Sequence, residues 1–150
     1  MERTYHAYLP IPEYPGLHCT VLPWFRSEAE PATVEYELNR LFRGTRPVPL
    51  LGHGRALFGR SRNVPVTTIY PSTELMLLHM HACDIVRIRL QGHFVDTDYA
   101  GHDYKPHVAD HDEHGLPAGT ETTANRIVLA EIFAHIGKKR PVHTWTLRLR

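Results

Sequence analysis

Cysteine is nearly absent. The two present, Cys19 and Cys83, sit in apolar runs and neither belongs to a Cys-x-x-Cys pair. They give no disulfide framework, and they read as reduced, buried thiols of a cytosolic protein. Long apolar runs are missing too. None approaches the roughly 18 residues of a membrane span. The first residues, Met1-Glu2-Arg3-Thr4, lack the apolar core of a signal peptide. The expectation is a cytoplasmic protein with no membrane partner. An excess of one charge is the third absence. Lys plus Arg number 17 against 16 for Asp plus Glu, a formal net charge of +1. No global field is available to hold duplex DNA, although a local patch could grip a small nucleotide or an RNA end.

What remains is an ordinary soluble composition of 150 residues, 42% hydrophobic and 22% charged. That length suits one domain, and at this size roughly 70% of the unfolded surface can be buried without a staple. The one excess is histidine, at 12 positions. Histidine titrates near neutral pH and is the commonest metal ligand.

The stretch Leu17-His18-Cys19-Thr20-Val21-Leu22 reads as a buried strand that Pro23 closes. Period two puts Leu17, Cys19 and Val21 on one face and His18 with Thr20 on the other. Residues 3–9 alternate loosely as an earlier strand. Ser27 and Glu30 form a capping box for a helix over about 28–43, with Val34, Leu38, Leu41 and Phe42 as its apolar stripe. Residues 47–70 read as β structure around a turn at 59–63. Ser72 caps a second helix whose face carries Leu75, Leu78, His79, Ala82, Ile85 and Val86. Residues 91–103 form a polar loop. Tyr104-Lys105-Pro106-His107-Val108-Ala109 follows, with His107 and Ala109 sharing a face. Residues 126–136 suit a strand, with a helix as the alternative. Lys138-Lys139-Arg140-Pro141 reads as a basic turn, and 142–149 alternate strictly. Two histidine strands in opposite halves, each half with one helix, predict two α+β lobes facing across a cleft.

These elements carry a resemblance. A Leu-His-x-Thr strand near the N-terminus, a capped helix, a Pro-Ser-x-x-Leu-x-x-Leu-His helix, a Tyr-x-Pro-His-Val strand and a near-final Leu-x-Glu strand together resemble the two-histidine (2H) phosphoesterase superfamily. That group includes LigT-like 2'-5' RNA ligases, cyclic phosphodiesterases and phage nucleases that destroy cyclic oligonucleotide signals. The match spans most of the chain by order and spacing, with about ten residues of specific motif. It implies an α+β fold of bilobal, pseudo-symmetric antiparallel sheets, with helices packed outside and a central cleft. It implies a metal-independent phosphodiesterase with no cofactor, acting as a monomer on an RNA end or a small cyclic nucleotide. His18 and His107 would flank the phosphodiester as general acid and base, and Thr20 would donate to a non-bridging oxygen. Tyr104 and Lys105 would contact substrate.

One departure stands out. The family's second motif is His-x-Thr or His-x-Ser, and here it is His107-Val108-Ala109. Among the 12 histidines only His18 opens a His-x-Thr. Three readings follow: a neighbour replaces the missing hydroxyl, the enzyme works with one donor, or the fold binds a nucleotide without cutting it. The residues alone leave other readings open. Tyr104 could be simple packing, and Lys105 with Lys138, Lys139 and Arg140 could be solvated charge. Trp24, Phe58 and Phe94 could line a base pocket or fill core. The run His107, Asp110, His111, Asp112, His114 could instead serve a metal-dependent hydrolase.

Overall fold

The computed structural model describes residues 1–149. The strands are β1 (Arg3–Pro10), β2 (His18–Ser27), β3 (Val48–Phe58), β4 (Val64–Ile69), β5 (His93–Phe94), β6 (His107–Ala109), β7 (Glu121–Ala124), β8 (Arg126–Phe133) and β9 (Lys138–Thr146). The helices are α1 (Pro31–Arg43) and α2 (Thr73–Asp84), and α2 runs on into a π-helical turn, Ile85–Arg89. The strands pair antiparallel in the order β7-β3-β4-β6-β2-β1-β8-β9, with β5 joined to β2. The sheet curls into a half-barrel with two helices, which is the expected α+β class. Residues 126–136 resolve toward a strand, since Arg126–Phe133 pairs with both β1 and β9. Among the described residues no helix is long and apolar enough to cross a membrane.

The two faces of the sheet differ because side chains alternate along each strand. Tyr5, Ala7 and Leu9 of β1, Cys19 and Val21 of β2, and Ile127 and Leu129 of β8 are all buried. They meet Val34, Leu38 and Phe42 of α1 and Leu75, Leu78 and Ala82 of α2 in one core. Burying each large apolar side chain contributes about 1.5–3 kcal/mol, so this face holds the sheet together. The other face carries His6 and Tyr8, His18 and Thr20, and His107 and Ala109. The helices depart from the expected one per half. α1 packs on β8 and β9, α2 packs on β2, and the two touch each other.

Three local expectations are corrected. Pro23 does not end β2, which continues to Ser27. The register shifts there: Tyr5 pairs with Phe25 but Ala7 with Leu22, so Pro23 and Trp24 together face His6. A bulge tolerates proline because its missing N–H is not needed in the ladder. Ser27 is not the cap of α1. It ends β2, and its hydroxyl donates to the Leu90 carbonyl while accepting from the Ala29 N–H. Glu30 takes the N-cap position without a side-chain bond, and Pro31, with its preset φ, opens the helix. The third correction concerns Lys138–Arg140, which lie inside β9. The β8–β9 reversal is at 134–137, closed by Gly137 at φ 63°. By contrast, Ser72 caps α2 as expected, accepting from the Leu75 N–H.

Candidate active site

β2 and β6 are neighbours in the sheet, with Cys19 paired to Val108. Both side chains are fully buried in the core, so the flanking residues face the opposite way. Continuing the antiparallel register sets Thr20 across from His107 and Ala109 across from His18. The two histidines are thus diagonal neighbours, a spacing of about 7–8 Å between backbones in such ladders.

A cavity of about 370 Å³ lies over this square. His18, Thr20, Tyr104, Lys105, His107 and Ala109 all line it, and so do His6, Trp24, Val95 and Tyr99. All five residues singled out from the sequence therefore border one space. Their environments differ. The His107 Nδ1 donates to the Lys105 carbonyl at 2.7 Å, which leaves Nε2 available to the cavity. Burial pulls the His107 pKa below its usual 6.5, and the Lys105 hydrogen bond pulls it back up. His18 is lowered further, to about 4, first by burial and then by the charges of Lys139, His107 and His111, against a backbone hydrogen bond at Gly16.

Tyr104 and His79 form a rigid layer behind the site. Their rings stack at 3.7 Å, 8° from parallel. The Tyr104 hydroxyl donates to the Thr20 carbonyl at 2.7 Å. The His79 Nδ1 donates to the Val21 carbonyl at 2.7 Å, and its Nε2 accepts the Gly101 N–H at 2.9 Å. The bonds to the Thr20 and Val21 carbonyls satisfy backbone groups at a second irregularity of β2, where Ala7 pairs with Leu22 but Tyr8 with Thr20. Tyr104 is 6% exposed, and its hydroxyl is committed to backbone. Its role here is to position Thr20, alongside lining the cavity. Lys105 is exposed at the rim.

His6 is the residue that reading the sequence missed. Its Nε2 lies 3.0 Å from the Thr20 Oγ1, and its ring makes an edge contact with His18 at 5.6 Å. The signal was available: in Thr4-Tyr5-His6-Ala7-Tyr8, period two sets His6 and Tyr8 on the face away from the core. Lys139 was also misread. Its ammonium sits 4.5 Å from the centre of the Tyr8 ring, and Tyr8 in turn packs on His18 at 4.7 Å. Of the three aromatics, Trp24 lines the cavity and is 41% exposed. Phe58 stacks on Tyr99 and meets the edge of His107. Phe94 is core, against Phe25.

The His/Asp run at 107–114 does not converge. Asp110 is held by Arg55 through two hydrogen bonds of 2.7 Å, and this pairing lowers its pKa. His111 contacts Asp112, and its backbone pairs with that of His114 in a tight turn. Among the described residues, no three His, Cys, Asp or Glu side chains come together as metal ligands.

No protein-family model and no curated protein matches the chain. Solved structures do. A crystal structure of a phosphoesterase aligns with 99% of this chain and 100% of its own at 16% identity, with a TM-score of 0.64. E. coli LigT complexed with 3'-AMP aligns over 99% and 100% at 16% identity, TM-score 0.60. The same protein complexed with NADP+ aligns over 98% and 98% at 16% identity, TM-score 0.57. Agreement over both full lengths establishes that this chain has the LigT-like two-histidine phosphoesterase fold.

Proposed function

We propose that the protein is a two-histidine phosphodiesterase that hydrolyses a small RNA-type phosphodiester without a metal. Candidate substrates are a 2',3'-cyclic phosphate, a 2'-5' linkage or a cyclic oligonucleotide. The observation that carries the reading is the pair His18 and His107, on adjacent strands of one cavity with Thr20 across from His107. The nucleotide complexes of LigT make a nucleotide the first ligand class to try.

The different surroundings of the two rings suggest their roles. His18, buried and near the Lys139 charge, is neutral near pH 7 and accepts the proton of the attacking water as its oxygen bonds to phosphorus. His107 delivers a proton from Nε2 to the leaving ester oxygen as the P–O bond breaks. Burial lowers its pKa, the Lys105 carbonyl on Nδ1 works against that, and an anionic phosphate between the rings shifts it towards the charged form. Each such proton transfer is typically worth about 10²–10⁴-fold. Thr20 is the only Ser or Thr among the residues lining the cavity, so it is the one aliphatic hydroxyl offered to the phosphate. Trp24 and Tyr99 at the mouth offer ring faces to a base.

The test is hydrolysis of 2',3'-cyclic and 2'-5' linked nucleotides in EDTA by the wild type and by His18→Ala and His107→Ala. Turnover that survives EDTA and is lost in both variants is expected. Full activity in either variant overturns the reading. A second reading, binding without turnover, is favoured by Ala109, which offers no hydroxyl opposite His18. Saturable 3'-AMP binding with no product from any substrate would select it.

A further inference from the structure

We propose that His6 is a positioning residue that sets the direction of the Thr20 hydroxyl, donating from Nε2 to Oγ1 so that the hydroxyl hydrogen points at the phosphate. This rests on the phosphodiester reading of the site.

A threonine hydroxyl has one hydrogen and two lone pairs. Thr20 Oγ1 faces both the cavity and the His6 Nε2, 3.0 Å away. Two arrangements satisfy that contact. If Nε2 is the bare nitrogen, Thr20 spends its hydrogen on His6 and presents only lone pairs to an incoming anion. If Nε2 carries the hydrogen, Oγ1 accepts it and its own hydrogen is free for a phosphate oxygen. The second arrangement alone makes Thr20 a donor, and here Thr20 is the only motif hydroxyl because Ala109 has none.

The geometry fixes which groups take part. His6 is 8% exposed, and its ring is held between Tyr8 at 5.0 Å and His18 at 5.6 Å. The β1–β2 bulge sets it there, opposite Pro23 and Trp24. Burial, with the charges of His18 and Lys139, holds its pKa down to about 3. The ring is therefore neutral, with one hydrogen and a choice of nitrogen. A ligand that binds one of two states better shifts the balance towards it. Phosphate binds the Nε2–H form better, so it selects that form.

The experiment has two arms. The first reads the His6 ring nitrogens of the wild type by ¹⁵N NMR, with and without inorganic phosphate. The expected result is a protonated Nε2 with phosphate bound. A ring that is Nδ1–H in excess phosphate overturns the proposal. This arm needs no turnover, so a failed assay overturns the phosphodiesterase reading and leaves the tautomer still decided by NMR. The second arm compares His6→Gln, whose amide N–H reaches the place of Nε2, with His6→Leu. His6→Leu should lower kcat/KM by roughly 10-fold or more, short of the 10²–10³ typical for deleting an oxyanion donor. His6→Gln should recover most of it. In a Thr20→Val background His6→Leu should cost nothing more. Full additivity, or equal loss in the two variants at equal melting temperature, overturns the proposal.

Discussion

Ala109 stands directly across the β2–β6 pairing from His18. The Cys19–Val108 pair and the pairing of Val66 with Ala109 on the other side fix it there. The corner of the square where the family's second hydroxyl would sit is bordered by apolar Val66. Thr68, beside His107, has its hydroxyl engaged with Gly54. No neighbouring strand replaces the missing donor.

Ala109→Thr should therefore raise kcat on a cyclic phosphate. The ceiling is roughly 10²-fold, the lower end of what one oxyanion donor supplies. Single-turnover rates check this. An unchanged rate in a folded variant would show that Thr20 alone saturates the phosphate's need.

The pH profile should sit on the acid side of neutrality. Both histidines are pulled below 6.5, His18 to about 4. For kcat/KM, which reports the free enzyme, the acid limb is expected near pH 4, where His18 gains its proton. The falling limb belongs to His107 and lies below 6.5. A maximum above pH 7 would contradict the assignment of base and acid.

Stability should fall with acid over the same range. His6 and His18 titrate near 3 and 4 when folded, against an ordinary 6.5. Between those values the unfolded chain binds protons that the folded chain refuses. The stability present above pH 6.5 is then lost as the pH drops towards 4 and 3. Each kcal/mol lost lowers the melting temperature by about 2–4 °C at this size. Thermal melts from pH 7 to 4 should show the decline, and His6→Gln should make it shallower.

Tyr104→Phe should lower kcat with little change in the fold. It removes the 2.7 Å bond to the Thr20 carbonyl and leaves the stack on His79. The net stability cost is about 0.5–1.5 kcal/mol. A kcat equal to that of the wild type would mean that the backbone of Thr20 needs no second anchor.

Gly115→Ala should destabilise the segment after β6. A Cβ there would lie 2.3 Å from Asp110 Oδ1 and 2.8 Å from an Arg55 nitrogen. The crowded atoms are the ends of the Asp110 and Arg55 side chains, so the clamp swings away and the cost is the loss of a partly exposed ion pair, about 0–1 kcal/mol. A lower melting temperature checks it.

The sequence made the skeleton of this site readable because two signals coincided. Period two placed His18 with Thr20 and His107 with Ala109, and the order of elements carried the resemblance. What it hid came from register. Ser27 and Glu30 match a capping box, yet pairing with Arg3 keeps Ser27 in the strand. Pro23 looks like a strand end, yet a bulge absorbs it. Period two sets His6 on the face of the site, but its contact with Thr20 depends on the β1–β2 register, and no local pattern encodes a partner 14 residues away. Lys139 looked like a turn residue because the reversal at Gly137 comes earlier than the basic run suggests.

The β2–β6 pairing passes through one residue couple, Cys19 and Val108, on a three-residue strand. So short a seam is the natural place for the sheet to part. If it opens, both histidines lose their spacing at the same instant. The lifetime of the site is then the lifetime of that seam, and the backbone amides beside it become a clock for how long the two histidines stay in register.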